Sequence, residues 1–148
     1  MLEQIPTASP RRRFFGRMEY MKVYITCPVT HTNNRLDLLP EIEKIVRSKG
    51  LESFIFKIGG NSKEIFDRDF KQLKSSDLII AEVSELSHGV GIEIGLSFNL
   101  GLKRILLLQR KKKITKLAQG MPNTTIILYN NLEDLKEKLT SALDKICA

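Results

Sequence analysis

The chain has 148 residues and a net charge of +7, with 42% hydrophobic and 28% charged residues. This length corresponds to a single domain, and the composition excludes a disordered or collagen-like chain. No uncharged apolar run approaches the ~20 residues that cross a bilayer, and the two cysteines are too few for a disulfide framework. We therefore expect a soluble, single-domain, cytoplasmic protein.

The positive charge is concentrated in two segments. Four arginines against two glutamates give residues 1–20 a charge of +2, and the run from Arg110 to Lys113 adds +4, so that +1 remains for the rest. A run of like charges is most often a solvated turn, and no base-stacking motif accompanies this one. Nucleic-acid binding is therefore the weaker interpretation of the charge.

Residues 1–20 contain two prolines, three consecutive arginines and the pair Phe14-Phe15, without helical or strand periodicity. They also lack the apolar core of a secretory signal. We expect residues 1–20 to be a disordered basic extension, with a partner-binding arm as the weaker alternative, and residues 21–148 to be the folded domain.

The first half of that domain alternates between strand and helix patterns. Residues 21–26 (MKVYIT) and 53–58 (SFIFKI) are short β-rich runs. The helical pattern between them ends at Gly50, and Ser62 is a candidate N-cap for a second helix. The apolar stripes of the two helices are Leu36, Leu39, Ile42, Ile45 and Val46, and Ile65, Phe66, Phe70 and Leu73.

The second half repeats the alternation. Residues 77–83 (DLIIAEV) are almost continuously apolar, which is typical of a strand buried on both faces of a parallel sheet. Gly89 and Gly91 then open a helix that Gly101 closes. The remaining elements are predicted at residues 104–109 (strand), 114–119 (short helix), 124–129 (strand) and 132–146 (helix).

Strand–helix alternation repeated five times defines the fold class. It predicts an α/β protein with a single-domain, doubly wound, five-stranded parallel sheet and helices on both faces, of the flavodoxin or Rossmann kind.

Ligands of open parallel sheets bind beyond the carboxyl ends of the strands, and the loop after the third predicted strand is the most informative there. Gly89-x-Gly91 at a helix start allows a ligand to approach the backbone, whose free N–H groups suit an anion. Tight packing against the strand explains the pattern equally well. The dinucleotide fingerprint needs a third glycine and a place after the first strand, so we reject NAD binding.

Two carboxylates are candidates for chemistry at this edge. Glu93 lies in mostly apolar sequence early in its helix, so we expect it near the interior, although the helix start alone favours an acid. Asp69 lies beside the apolar stripe of its helix, whereas Asp67 is expected in solvent; a structural cap is the alternative for Asp69. Two inward carboxylates facing one cleft can divide glycosyl transfer between a nucleophile and a general acid.

Three segments resemble the nucleoside 2-deoxyribosyltransferase superfamily. They are FDRDF at residues 66–70, SDLIIAEVS at 76–84 and the S-x-G-V-G-x-E-I-G motif at 87–95. The last most resembles the 2'-deoxynucleoside 5'-monophosphate N-hydrolase branch. The resemblance covers about residues 21–146, and its two ends are less specific than its centre.

The resemblance implies a retaining, double-displacement mechanism without a cofactor. Glu93 would attack C1' of the 2-deoxyribosyl group, and Asp69 would serve the departing base as general acid or orient the group that does. Tyr24, at the end of the first strand, would orient the nucleophile through its hydroxyl. Ser87 and the Gly89 amide match positions that bind a 5'-phosphate in the hydrolase branch.

The loop after the first strand departs from the hydrolase pattern. A glycine, a serine and an arginine that bind phosphate in that branch correspond here to Cys27, Pro28 and Thr30. Thr30, Thr32, Arg35 or the lysine run could replace them, so the choice between free nucleosides and 5'-monophosphates stays open.

The resemblance also implies a homodimer or a higher homo-oligomer. Thr115 aligns loosely with a serine that reaches the phosphate bound to a neighbouring subunit. The sequence contains no Cys and His cluster with metal-ligand spacing, so we expect catalysis without a metal.

Three functions remain to be distinguished. The leading one is an enzyme that cleaves the N-glycosidic bond of 2'-deoxynucleosides or their 5'-monophosphates, by hydrolysis or by transfer of the sugar to another base. The alternative is a non-catalytic nucleotide-binding module on the same fold. A nucleic-acid-binding protein is the third, and its binding would depend steeply on salt.

Overall fold

The computed structural model describes residues 21–147 and, upstream of them, the strands β1 (Arg13–Phe14) and β2 (Arg17–Met18), which pair antiparallel. The other residues of segment 1–20 lie outside the described residues. The interpretation of that segment as a disordered extension therefore stays a prediction.

One five-stranded parallel sheet forms the centre of the domain, and its strands are β3 (Lys22–Thr26), β4 (Glu52–Ile55), β5 (Leu78–Glu82), β6 (Lys103–Gln109) and β7 (Thr124–Tyr129). Their order across the sheet is β4-β3-β5-β6-β7. Counted along the chain, this is the flavodoxin-like order 2-1-3-4-5. The predicted fold class is confirmed.

Helices cover both faces of the sheet, and they are α1 (Leu38–Ser48), α2 (Ser62–Lys74), α3 (His88–Asn99), α4 (Lys116–Gln119) and α5 (Leu132–Cys147). Side chains alternate between the two faces along each strand. Val23 and Ile25 therefore pack in the apolar cluster under α1 and α5, whereas Tyr24 packs in the cluster under α2, α3 and α4. One apolar layer therefore packs against each face of the sheet.

Two predicted boundaries were wrong. The N-cap of α2 is Asn61, one residue before Ser62, because Asn61 forms a reciprocal capping box with Glu64: the Glu64 amide donates to Asn61 Oδ1 at 2.9 Å, and the Asn61 amide donates to Glu64 Oε2 at 3.4 Å. Strand β4 ends at Ile55 rather than at residue 58, since its pairing with β3 stops there. Gly59 and Gly60 then turn the chain with φ of 118° and 101°.

None of the helices in the described part of the chain is long and apolar enough to span a bilayer.

Candidate active site

A cavity of about 380 Å³ opens at the carboxyl ends of β3 and β4, between α2 and α3. This is the edge at which open parallel sheets bind ligands. Six of the predicted site residues line it, namely Tyr24, Thr30, Asp69, Ser87, Gly89 and Glu93. Loops and helices distant in sequence are therefore brought to one place.

Glu93 lies in the second turn of α3 and is largely buried. The hydroxyl of Thr26, at the end of β3, donates a hydrogen bond of 3.0 Å to Glu93 Oε1. Burial raises the pKa of Glu93 to about 7, and the negative charge of Asp69 adds to the rise, while the hydroxyls of Tyr24 and Thr26 oppose it. Glu93 is thus a carboxylate that changes charge near neutral pH.

Tyr24 lies in the middle of β3, not at its end as predicted, and it is fully buried. Its hydroxyl lies near Glu93 and Asp69, and burial together with these two negative charges raises its pKa. Within the described residues the hydroxyl has no partner in hydrogen-bond geometry. It therefore stays protonated and can donate to the nucleophile or to a bound sugar.

Asp69 lies in the middle of α2, with its side chain 20% exposed. Arg68 Nε is 3.3 Å from Asp69 Oδ1, and the same guanidinium donates hydrogen bonds to the carbonyls of Lys57 and Gly59. Arg68 thus joins the predicted acid to the loop at the cavity rim. Asp67 is exposed, as predicted, and pairs with Lys63 at 2.5 Å.

Ser87 is the N-cap of α3. Its Oγ accepts a hydrogen bond from the Val90 amide at 3.2 Å, and its carbonyl accepts one from the Gly91 amide at 3.1 Å. A Cβ on Gly89 would meet Ser87 Oγ at 3.8 Å, and one on Gly91 would meet nothing within 4 Å. Packing against the strand therefore does not require these glycines, and for Gly89, which lines the cavity, this favours the interpretation that it admits a ligand.

Gly91 and Thr115 do not line this cavity. They line an apolar groove of about 740 Å³ on the other side of α3, together with Leu86 and Leu117. Thr115 is the N-cap of α4 and accepts a hydrogen bond from the Leu117 amide at 3.2 Å. Within one chain, these two predicted site residues are separated from the two carboxylates by the width of a helix.

The loop after β3 supplies Thr30 to the cavity rim but keeps Arg35 away from it. Arg35 donates to Glu85 at 2.9 Å and to Gln109 at 2.7 Å, so it is not a free cation for a phosphate. Lys112 lies 3.6 Å from the same Glu85 carboxylate.

Cys27, Lys57 and Ser62 also contribute polar groups to the cavity wall. Burial raises the pKa of the Cys27 thiol to about 12, with the charges of Glu82 and Glu93 adding to the effect. Among the described residues that line the cavity, Lys57 is the one with a positively charged side chain.

Several residues of the site were missed at the level of sequence. Phe66 and Phe70 were expected to belong to the apolar stripe of α2, but they line the cavity as a stacked pair with ring centroids 5.5 Å apart and planes at 13°. Phe66 is 52% exposed, because α2 flanks an edge of the sheet and one side of its stripe extends past the strands. Thr26 was also missed, although a hydroxyl at the carboxyl end of a central strand was a signal available in the sequence.

In the described part of the chain, no three His, Cys, Asp or Glu residues are grouped so that they could hold a metal ion. The chemistry that the cavity offers is that of two carboxylates, a protonated tyrosine and a pair of aromatic rings.

The chain matches no family model, but it is similar to individual proteins. A protein of Thermofilum pendens, with the provisional name 2'-deoxynucleoside 5'-phosphate N-hydrolase 1, is 29% identical over 136 residues, which cover 83% of this chain and 95% of the relative. A protein of Syntrophotalea carbinolica with the same provisional name is 31% identical over 81 residues, which cover 53% of this chain and 57% of the relative.

Solved structures are similar in fold. The CMP N-glycosidase of Clostridium botulinum superposes with a TM-score of 0.69 at 25% identity, covering 82% of this chain and 98% of that one. The 2-deoxyribosyltransferase of Bacillus psychrosaccharolyticus shares the fold with a TM-score of 0.60 at 17% identity, covering 80% of this chain and 95% of that one.

The fold, the cavity and these similarities together indicate the class: this chain is an enzyme that is similar to N-glycosidases, with a fold that the 2-deoxyribosyltransferase shares. The resemblance to the nucleoside 2-deoxyribosyltransferase superfamily, first seen in the motifs around Asp69 and Glu93, is confirmed by its sequence relatives and by its structural neighbours.

Proposed function

We propose that this enzyme cleaves the N-glycosidic bond of 2'-deoxynucleosides or their 5'-monophosphates through a covalent glycosyl intermediate on Glu93. The observation that carries the proposal is the presence of Glu93 and Asp69 on two different helices in one cavity at the carboxyl edge of the sheet. The two are close enough for the charge of Asp69 to raise the pKa of Glu93. The provisional names of the relatives support the substrate class.

The proposed reaction has two displacements at C1'. In the first, a carboxylate oxygen of the ionised Glu93 forms a bond to C1' while the bond from C1' to the base nitrogen breaks, and Asp69, in its protonated form, gives its proton to the departing base. In the second, water attacks C1', the bond to Glu93 breaks, and the proton of the water passes to Asp69. An acceptor base in place of the water gives transfer instead of hydrolysis.

The cavity wall suits the two parts of such a substrate. The stacked pair Phe66 and Phe70 offers an apolar flat surface of the kind on which nucleobases stack. On the α3 side, Ser87, the Gly89 amide and Thr30 supply neutral hydrogen-bonding groups near the helix start. A 5'-phosphate would meet these groups, and a free 5'-hydroxyl could use the same ones.

We also propose that the enzyme works as a homodimer or larger homo-oligomer. The apolar groove beside α3 exposes 92% of Leu86 and 81% of Leu117 in the single chain, which is unfavourable in water. By the resemblance, Thr115 on this face would reach the phosphate bound to the neighbouring subunit.

The first test is base release, followed by chromatography, from a panel of nucleosides and 5'-monophosphates with and without an acceptor base. Glu93→Ala should lower the rate of base release by at least about a thousandfold while preserving the fold, because the covalent step depends on this carboxylate. Asp69→Asn should lower the rate strongly, and Asp67→Asn, on the exposed side of the same helix, is its matched control.

Each outcome of this test has a clear meaning. Release from monophosphates in water indicates a hydrolase of phosphorylated substrates, and exchange that needs an acceptor indicates a transferase. If the peptide that contains Glu93 gains the mass of one deoxyribosyl group during the reaction, this would support the covalent intermediate. A Glu93→Ala variant with a near-normal rate would contradict the mechanism.

A further inference from the structure

Thr26 is the last residue of β3, and its hydroxyl donates a hydrogen bond of 3.0 Å to Oε1 of Glu93. The residue is only 2% exposed and pairs with Ala81 of β5, and its neighbour Ile25 pairs with both β4 and β5. The backbone of Thr26 is therefore fixed, and a β-branched side chain has little freedom about χ1. The strand, not the solvent, determines where this hydroxyl lies.

Thr26 differs from the other neighbours of Glu93 because it forms a hydrogen bond with the carboxylate. The Tyr24 hydroxyl lies near Glu93 and lowers its pKa, but it has no partner in hydrogen-bond geometry among the described residues, and Arg68 contacts Asp69 and the loop carbonyls instead. Among the hydrogen bonds of the described residues, Thr26 makes the one to Oε1, and Oε2 accepts none. The two oxygens of the carboxylate are thus in different environments before any substrate arrives.

We propose that Thr26 is a positioning residue that holds Glu93 through Oε1 and leaves Oε2 as the oxygen that attacks C1'. The inference rests on the proposed function, in which Glu93 is the nucleophile. Thr26 acts through Glu93 and not on the substrate, although it also lines the cavity.

The charges around Glu93 explain why the Thr26 hydroxyl has a measurable effect on the pKa of Glu93. Tyr24 and Cys27 face Glu93 from β3 and its loop, and both are neutral because burial raises the pKa of each group. Asp69 faces it from α2, and its negative charge raises the pKa of Glu93. A donated hydrogen bond stabilises the ionised carboxylate, so removing the Thr26 hydroxyl should raise that pKa further.

Titration of Glu93 in the full chain tests the contact without any need for activity. The carboxyl carbon signal of Glu93 in a ¹³C NMR spectrum would be assigned by its absence in Glu93→Gln. Thr26→Val keeps the shape of the side chain but removes the hydroxyl, and we expect the midpoint to rise by about one pH unit. Thr26→Ser keeps the hydroxyl and should titrate close to the unaltered protein.

The rate of base release tests the catalytic consequence. Thr26→Val should lower kcat by about tenfold or more and move the acidic limb of the pH profile upward, with KM little changed. Thr26→Ser should recover most of the rate. Thr26→Ala is a second variant without the hydroxyl if Val at this position prevents folding.

The outcomes separate this inference from the function on which it rests. A Thr26→Val protein with an unshifted Glu93 titration overturns the inference, and so does a Ser variant as impaired as the Val variant. An unaltered protein that releases no base overturns the proposed function and the attacking role of Oε2. A shifted titration in that protein would still support the hold of Thr26 on Glu93.

Discussion

At the scale of single residues, Glu93 is a largely buried carboxylate that lines an open cavity. Its burial disfavours the charged form, and its pKa of about 7 follows from that burial. A carboxylate that is poorly solvated when ionised is a better nucleophile than one in solvent. The same burial also has a consequence for stability, which can be measured without a substrate.

The stability of the protein should depend on pH through Glu93. The pKa is about 7 in the folded chain and 4.5 for an ordinary glutamate, so the folded state favours the protonated form. This contribution is fully present below pH 4.5 and is lost as the pH rises through 7. Glu93→Gln should therefore change stability little at acidic pH, and should increase the free energy of unfolding by about 2–3 kcal/mol at alkaline pH.

Urea unfolding of both proteins at a series of pH values would check this. Glu133→Gln is the matched control, because it makes the same substitution at a side chain that is 86% exposed. A difference between Glu93→Gln and the unaltered protein that stays constant with pH would contradict the assigned burial of Glu93.

Residue identities at this scale were only partly predictable. Glu93 and Asp69 could be picked out, because an acid among apolar neighbours at a helix start, or beside an apolar stripe, leaves a sequence pattern. The contact between Thr26 and Glu93 could not, since it joins residues 67 positions apart. The periodicity of a sequence does not predict which hydroxyl forms a hydrogen bond with which carboxylate.

At the scale of elements, the loop between β4 and α2 forms the cavity rim and depends on Arg68. Its guanidinium donates to the carbonyls of Lys57 and Gly59, eleven and nine positions earlier, and contacts Asp69. The two glycines of the loop adopt positive φ and so give it little intrinsic rigidity. Arg68 therefore provides much of the order of this segment.

Arg68→Ala should loosen the loop and weaken substrate binding. We expect KM to rise by about tenfold, the equivalent of one or two net hydrogen bonds to a charged group. Amide hydrogen exchange at residues 57–60 should become faster, with a small change in Tm because the Arg68 side chain is 30% exposed. Lys63→Ala, in an exposed pair on the same helix, is the control, and unchanged exchange in Arg68→Ala would refute the prediction.

Elements were the most predictable level. Strand and helix periodicities are local, and the five strands and five helices appear where the patterns indicated, apart from the cap at Asn61 and the early end of β4. The direction of the α2 stripe was less predictable. Phe66 and Phe70 are apolar residues on the expected face, but the face extends beyond the sheet into a cavity.

At the scale of the whole molecule, the single chain leaves the apolar groove along α3 and α4 open, and its wall includes Ser87 and Val90, which also line the candidate active-site cavity. A second copy that covers this groove would stand directly beside the substrate. The proposed homo-oligomer therefore has a consequence for activity as well as for assembly.

Leu117→Glu should shift the protein toward the monomer and lower activity, because it introduces a charge into an apolar surface that the proposed partner covers. Sedimentation velocity and base release at several protein concentrations would measure both effects. Leu128→Glu is the matched control, since Leu128 is 42% exposed on β7 and lies outside the groove. A monomeric unaltered protein with full activity would contradict the prediction.

The sequence by itself determined the α/β architecture and identified the two carboxylates, because both depend on patterns that repeat over a few residues. Only the tertiary structure decided which polar groups meet. It joined Thr26 to Glu93, directed Arg35 to Glu85 and Gln109 instead of the cavity, and separated Thr115 from the two acids by a helix. Such contacts depend on the register and crossing of distant segments, and these are set by the packing of the whole domain.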